Sequence, residues 1–197
     1  MRRVFRLLFK PGREWTRIKD ELLSFSRFFV SYALILAAVS PVIRFLTGFV
    51  HGHYRRPFTG WSWAIVGREF LFGAVVYLCS LAAVYVWGRM ISLLAPLFSS
   101  RRKQAESFVL AVFSMIPFWL GGVFYLIPGF GWIIKIGVGF YGGYIMFRGL
   151  TAGLLETPRK KVFGYLLLNC VFGLGLVILA ELLPRFIFTA GGVIQVG

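Results

Sequence analysis

The sequence predicts an all-α, polytopic membrane helical bundle of about five transmembrane helices plus an N-terminal amphipathic helix, and three observations carry that prediction. Of the 197 residues 58% are hydrophobic and 15% charged, with mean hydropathy +0.79, well to the apolar side of globular usage. The polar residues gather into short islands, and the apolar runs between them approach the roughly 20 residues that cross a bilayer. Lys and Arg, 22 against 7 Asp and Glu, flank those runs and build no folded basic face. Nucleic acid is therefore not an expected partner.

Three regions follow: a cytoplasmic amphipathic segment 1–27, a membrane domain 28–184 and a short extracytoplasmic tail 185–197. The first region is basic but lacks the uninterrupted apolar stretch of a cleaved signal peptide. Pro11 and Gly12 break it. From Glu14 to Leu23, Trp15, Ile18 and Leu22 recur at helical spacing opposite Arg13, Arg17 and Asp20, which predicts a short helix on the bilayer surface with Trp15 toward lipid or the domain and Arg13 and Arg17 toward anionic headgroups.

The first span, 28–50, contains Pro41 as an expected kink. An exposed loop with paired Arg55 and Arg56 and with Trp61 and Trp63, an aromatic pair suited to the headgroup boundary, leads to the second span, 69–91. The island Ser99 to Glu106 precedes the third, 107–127, which Pro117, Gly121 and Gly122 should bend. Pro128, Gly129 and Gly131 predict a tight turn into the fourth, 132–155. That span carries Lys135 and Arg148 and the G-x-x-x-G spacings Gly139 to Gly143 and Gly149 to Gly153, which let helix backbones approach closely. It is therefore the expected packing centre. The fifth span, 162–182, follows the island 156–161 and is expected to end at Pro184.

Orientation follows from charge. With the N-terminus inside, eight Lys or Arg before the first span, three in Ser99 to Glu106 and three in Glu156 to Lys161 share one side; Arg55, Arg56 and Arg185 take the other. The positive-inside rule makes the N-terminus cytoplasmic and, after five crossings, the C-terminus external.

Charged groups within the bilayer are the candidates for a site, because each costs several kcal/mol there unless paired or close to an interface. Lys135 and Glu181 both fall about one turn inside the outer boundary. Arg148 and Asn169 match in depth on the inner side, as do Arg44 with Glu69 outside and Arg89 with Glu106 inside. Structural pairing or snorkelling is the simplest account of each. The functional account is a polar route or a lipid-headgroup site between the fourth and fifth spans, built from Lys135, Glu181, Arg148 and Asn169.

Catalytic motifs of the HExxH, GxSxG and Walker type do not occur. Cys79 and Cys170 sit singly in apolar runs, and His51 and His53 have no partner ligands in sequence. The expectation is a protein that is not an enzyme and holds no metal or cofactor.

Phe9-Lys10-Pro11 with Glu14-Trp15 and Ile18, then Ile116-Pro117-Phe118, the Pro128-Gly129 turn with Gly131, and Arg148-Gly149-Leu150 ahead of Arg159-Lys160-Lys161 resemble the Yip1 family of polytopic membrane proteins, and its prokaryotic members in particular. The resemblance covers most of the chain. It implies five spans with the N-terminus inside. Eukaryotic relatives carry a long polar cytoplasmic region and are linked to small GTPases; only about 27 residues precede the first span here, and Tyr141-Gly142-Gly143-Tyr144 departs from their Tyr-Gly-Tyr. GTPase binding is not carried over.

The resulting expectation is a non-enzymatic protein of a prokaryotic inner membrane that organises lipids or partner proteins, with membrane lipids, other membrane proteins or further copies of itself as partners. The alternative is a small transporter, channel or lipid-translocating protein using the polar route.

Overall fold

The computed structural model describes Trp15, residues 32–51, 55–56 and 60–190. The predicted surface helix, apart from Trp15, lies outside these residues, as do Arg13 and Arg17, His53 and the end of the tail.

The first span appears as two pieces, α1 (Leu34–Ala37) and α2 (Val39–Val50). The break at Ala38 precedes Pro41, whose missing N–H and ring disturb the preceding turn. The loop that follows carries a minimal antiparallel ribbon, β1 (Arg55–Arg56) with β2 (Gly60–Trp61), pairing Arg55 with Trp61 and Arg56 with Gly60.

The second span is longer than expected. α3 runs Trp63–Leu94, taking in the Arg68–Glu69 pair at its start and meeting no proline before Pro96. A 3₁₀ turn, Ala95–Phe98, then brings the chain to Ser99 in left-handed conformation, φ 55°. α4 covers Gln104–Leu120 and continues as a 3₁₀ segment, Gly121–Leu126. The change of winding coincides with Gly121 and Gly122, where other helices press in: a Cβ on Gly122 would lie 2.2 Å from Ser40 Oγ.

A turn with Gly129 at φ +78° leads into α5, Gly131–Thr151. α5 stops four residues short of the expected boundary. Gly153, at φ +78°, ends it in a Schellman motif: Gly153 N–H donates to Leu150 C=O at 3.1 Å and Leu154 N–H to Gly149 C=O at 3.4 Å. α6, Arg159–Ala190, passes through Pro184 rather than stopping there. Its apolar sequence continues beyond Pro184, and a proline within a membrane helix is tolerated where neighbours offset the lost bond.

Successive helices run in opposite directions, so the bundle has two ends. At the basic end the 99–103 and 151–158 loops are clasped together. Arg101 meets Glu156 at 2.8 Å, Lys103 meets it at 3.0 Å, Ser100 bonds Thr157 at 2.9 Å and Lys161 bonds Ser99 at 2.8 Å. The opposite end holds the ribbon and the Gly129 turn.

The packing centre is α4, not the glycine-rich fourth span. Every residue from Ser107 to Pro117 is buried, which its all-round apolar sequence permits. By contrast α5 buries one face, with Lys135, Gly142, Ile145, Met146, Gly149 and Leu150, and exposes Trp132, Ile133, Phe140 and Tyr144.

Among the described residues three helical stretches are long and apolar enough to cross a membrane: Trp63–Phe98, Gln104–Leu126 and Arg159–Phe188. Leu34–Val50 is a shorter apolar helix. The 21 residues of α5 reach the needed length, but Lys135, Arg148 and its glycines lower its hydropathy. The chain is thus an all-α membrane bundle, with three such spans among the described residues rather than the expected five.

Candidate functional site

Lys135 and Glu181 are brought together. α5 places Lys135 on its buried face, and Gly121 gives it a seat: a Cβ there would lie 3.3 Å from Lys135 Cα, Cγ and O. Lys135 Nζ reaches Glu181 Oε1 at 2.8 Å and Tyr125 Oη at 3.1 Å, and lies 4.1 Å from the centroid of the Phe118 ring. Two oxygen acceptors and an aromatic face thus surround an ammonium that is 3% exposed, as a desolvated cation requires. Glu181 is only partly buried, with its side chain 22% exposed.

Two small cavities adjoin this pair. One, about 20 Å³, is lined by Ala37, Ser40, Ser80 and Ala180 together with Lys135 and Glu181. The other, about 10 Å³, adds Arg44, Phe72 and Tyr125. The first has room for about one water. Their polar walls are largely satisfied: Ser40 Oγ donates to Trp119 C=O at 2.9 Å, and Trp119 Nε1 donates to Ser80 Oγ at 2.9 Å. Arg44 approaches Glu69 at 4.0 Å and covers the Phe72 ring at 4.4 Å, so a second depth-matched pair stands beside the first.

Arg148 and Asn169 are not brought together. Gly143 marks the side of α5 that faces α6, its missing Cβ 3.5 Å from Cys170 Sγ; five residues on, Arg148 lies about 140° around the helix from it. Asn169 faces α3. Its neighbours one turn away, Tyr165 and Gly173, meet Ile91 C=O and the Trp87 ring, and Trp87 Nε1 donates to Asn169 C=O at 3.1 Å. Asn169 Nδ2 donates to Tyr165 C=O at 2.8 Å, leaving Oδ1 without a partner; Arg148 Nε is likewise buried and unpartnered. Equal depth did not mean a shared face. Glu106, too, pairs with Lys103 at 3.8 Å, and Arg89 is exposed.

The four glycines separate in the same way. Gly149 is in tight contact, a Cβ there lying 2.5 Å from Leu110 Cδ1 and 3.0 Å from Trp15; Gly139 is close to Phe118 at 3.1 Å; Gly143 is in ordinary contact. Gly153 lies beyond the helix and terminates it. The closest helix crossing falls at Gly142, where a Cβ would lie 2.1 Å from Ser114 O. Spacing marked α5 as able to pack closely but placed the contact one residue away, since only the neighbour selects the face.

Of the two sides expected for Trp15, lipid or the domain, the structure selects the domain and not a membrane-surface contact. Trp15 is fully buried in the bundle. Its Nε1 donates to Ile145 C=O at 3.1 Å, and its ring meets Phe113 edge-on at 5.7 Å, so the indole is seated on α4 and α5 with its N–H satisfied.

Among the described residues no three His, Cys, Asp or Glu side chains come together, and both cysteines are free thiols. The chemistry on offer is that of paired charges and hydrogen bonds inside an apolar bundle. Comparison with curated proteins and with solved structures gives no match. The Yip1 domain model matches residues 5–180, a range that contains the Trp15 seat, the α4–α5 crossing and Lys135. This chain belongs to the Yip1 family.

Proposed function

We propose that this Yip1-family protein is a non-enzymatic organiser of lipids or partner proteins, of the prokaryotic type, set in a cytoplasmic membrane by five crossings with the N-terminus inside and the C-terminus outside. Leu34–Val50 and α5 supply the two crossings beyond the three strongly apolar helices. Their alternating direction and the fourteen basic residues falling on one side support that threading. Anionic headgroups, other membrane proteins and further copies of the chain are its partners.

The observation that carries this reading is the closed state of Lys135. A transporter needs its intramembrane charges on a hydrated path, whereas an organiser can hold them paired. Here the ammonium is 3% exposed and bonded to Glu181 and Tyr125. Both adjoining cavities are about one water in size or smaller, and neither lining includes Arg148 or Asn169.

Thiol accessibility tests it. In a Cys79→Ser, Cys170→Ser background, Val76→Cys and Ala180→Cys should resist a membrane-impermeant thiol reagent in sealed vesicles. Rapid labelling from either side would favour the transport reading. Cysteines at Arg102 and Arg55 should label from opposite sides; labelling from the same side would refute the threading.

A further inference from the structure

The deep cations differ in how they are neutralised. Lys135 has Glu181, and Arg44 has Glu69. Arg148 is half-buried, its Nε is enclosed, and among the described residues it has neither a carboxylate nor a hydrogen-bond acceptor. Removing a guanidinium nitrogen from solvent without an acceptor is costly, and a charged group at membrane depth is retained where something pairs with it.

Its position says what that partner is. Arg148 is three residues before Thr151, the last residue of α5, or about 4.5 Å along the axis at 1.5 Å per residue. That is within snorkelling distance of the headgroup level at the basic end. Tyr141, Tyr144 and Arg148 follow at three- and four-residue intervals, so they share one flank of the helix. Tyr144 is 46% exposed there. This flank lies away from α6 and next to the groove that Trp15 fills through its contacts with Ile145 and Gly149.

We propose that Arg148 binds the phosphate of one membrane phospholipid at the basic end, with the exposed Tyr144 ring alongside its glycerol and upper acyl region. A guanidinium matches a phosphate diester in charge and in the spacing of its paired donors, and the same lipid places apolar chains along Phe140 and Ile136, which are exposed on α5. The proposal rests on α5 lying in the bilayer with Arg148 at one boundary.

Native mass spectrometry and thermal unfolding of the full-length protein in mild detergent test it, with phosphatidylglycerol or diacylglycerol as the probe. The wild type should retain one phosphatidylglycerol and gain Tm from it, and diacylglycerol should do neither. Arg148→Ala should weaken retention about tenfold or more, and Arg148→Lys should recover part of it; the Lys variant also serves if the Ala variant does not fold. Equal retention by both variants overturns the proposal, as does equal stabilisation by inorganic phosphate or by the phosphate-free lipid. So does a Glu14→Gln variant that loses stability as Arg148→Ala does, with lipid making no difference, because the partner would then be a carboxylate of the chain. Thiol labelling at Arg102 and Arg55 reports the threading separately, so a failed lipid effect with correct threading refutes only the Arg148 site.

Discussion

The two ends of the bundle hold their polar residues by different means. At the end near the Gly129 turn, Lys135, Glu181, Arg44 and Glu69 come from four helices and neutralise one another across small cavities. In the half toward the basic end, the deep polar groups do not meet: Asn169 is absorbed into the α3–α6 seam, Arg148 stands on an outer flank, and the interior is filled by Trp15, Phe113 and Leu110. A charge buried on every side has to bring its counterion with it. A charge near a boundary can draw its partner from the membrane.

The sharpest way to break this contrast is at Trp15. Trp15→Ala removes a fully buried indole, and the expected loss is about 3–5 kcal/mol of unfolding free energy, read by denaturation in detergent. If it costs less than about 1 kcal/mol, the indole does not hold that half of the bundle together.

Lys135→Ala comes next. It strands a carboxylate, and breaking a buried pair costs about 3–5 kcal/mol when both partners are enclosed; Glu181 is partly exposed, so about 2–3 kcal/mol is expected. Adding Glu181→Ala should restore part of that loss. An additive double mutant would show that the two charges act independently. Arg148→Ala in lipid-free detergent should cost less than Lys135→Ala, because it breaks no ion pair among the described residues.

Gly142→Ala should destabilise by about 1–3 kcal/mol, since its Cβ would strike the Ser114 carbonyl, part of a helix backbone that cannot swing aside. Gly143→Ala meets only the Cys170 sulfur at 3.5 Å and should be neutral or slightly stabilising through helix propensity. The reverse ranking would mean that α5 is rotated from its assigned face. The smallest loss, about 1 kcal/mol, is expected for Gly153→Ala at the left-handed helix end.

How much of this was legible in the sequence depends on what each residue's place is determined by. Depth in a membrane follows from distance along the chain, so Lys135 and Glu181 could be matched as ion-pair partners from their positions within their runs. Rotation about a helix axis does not. It is set by which neighbour packs where, and so Arg148 and Asn169, equal in depth, face different helices. The crossing fell at Gly142 rather than Gly143 for the same reason. Trp15 was legible as one face of an amphipathic segment, but amphipathy cannot tell lipid from a groove between helices. The Tyr125 hydroxyl and the Ser40–Trp119–Ser80 chain gave no signal, because single polar atoms in apolar runs acquire meaning only from the acceptors that folding brings to them.

Two prolines have a consequence beyond the bends they accompany. A proline has no N–H for the carbonyl four residues earlier, so Pro41 deprives Ala37 of its usual helix bond and Pro184 deprives Ala180. Ala37 and Ala180, on different helices, line the same one-water cavity beside Lys135. Two helix turns that each lack one backbone hydrogen bond thus border the same small space beside the Lys135–Glu181 pair.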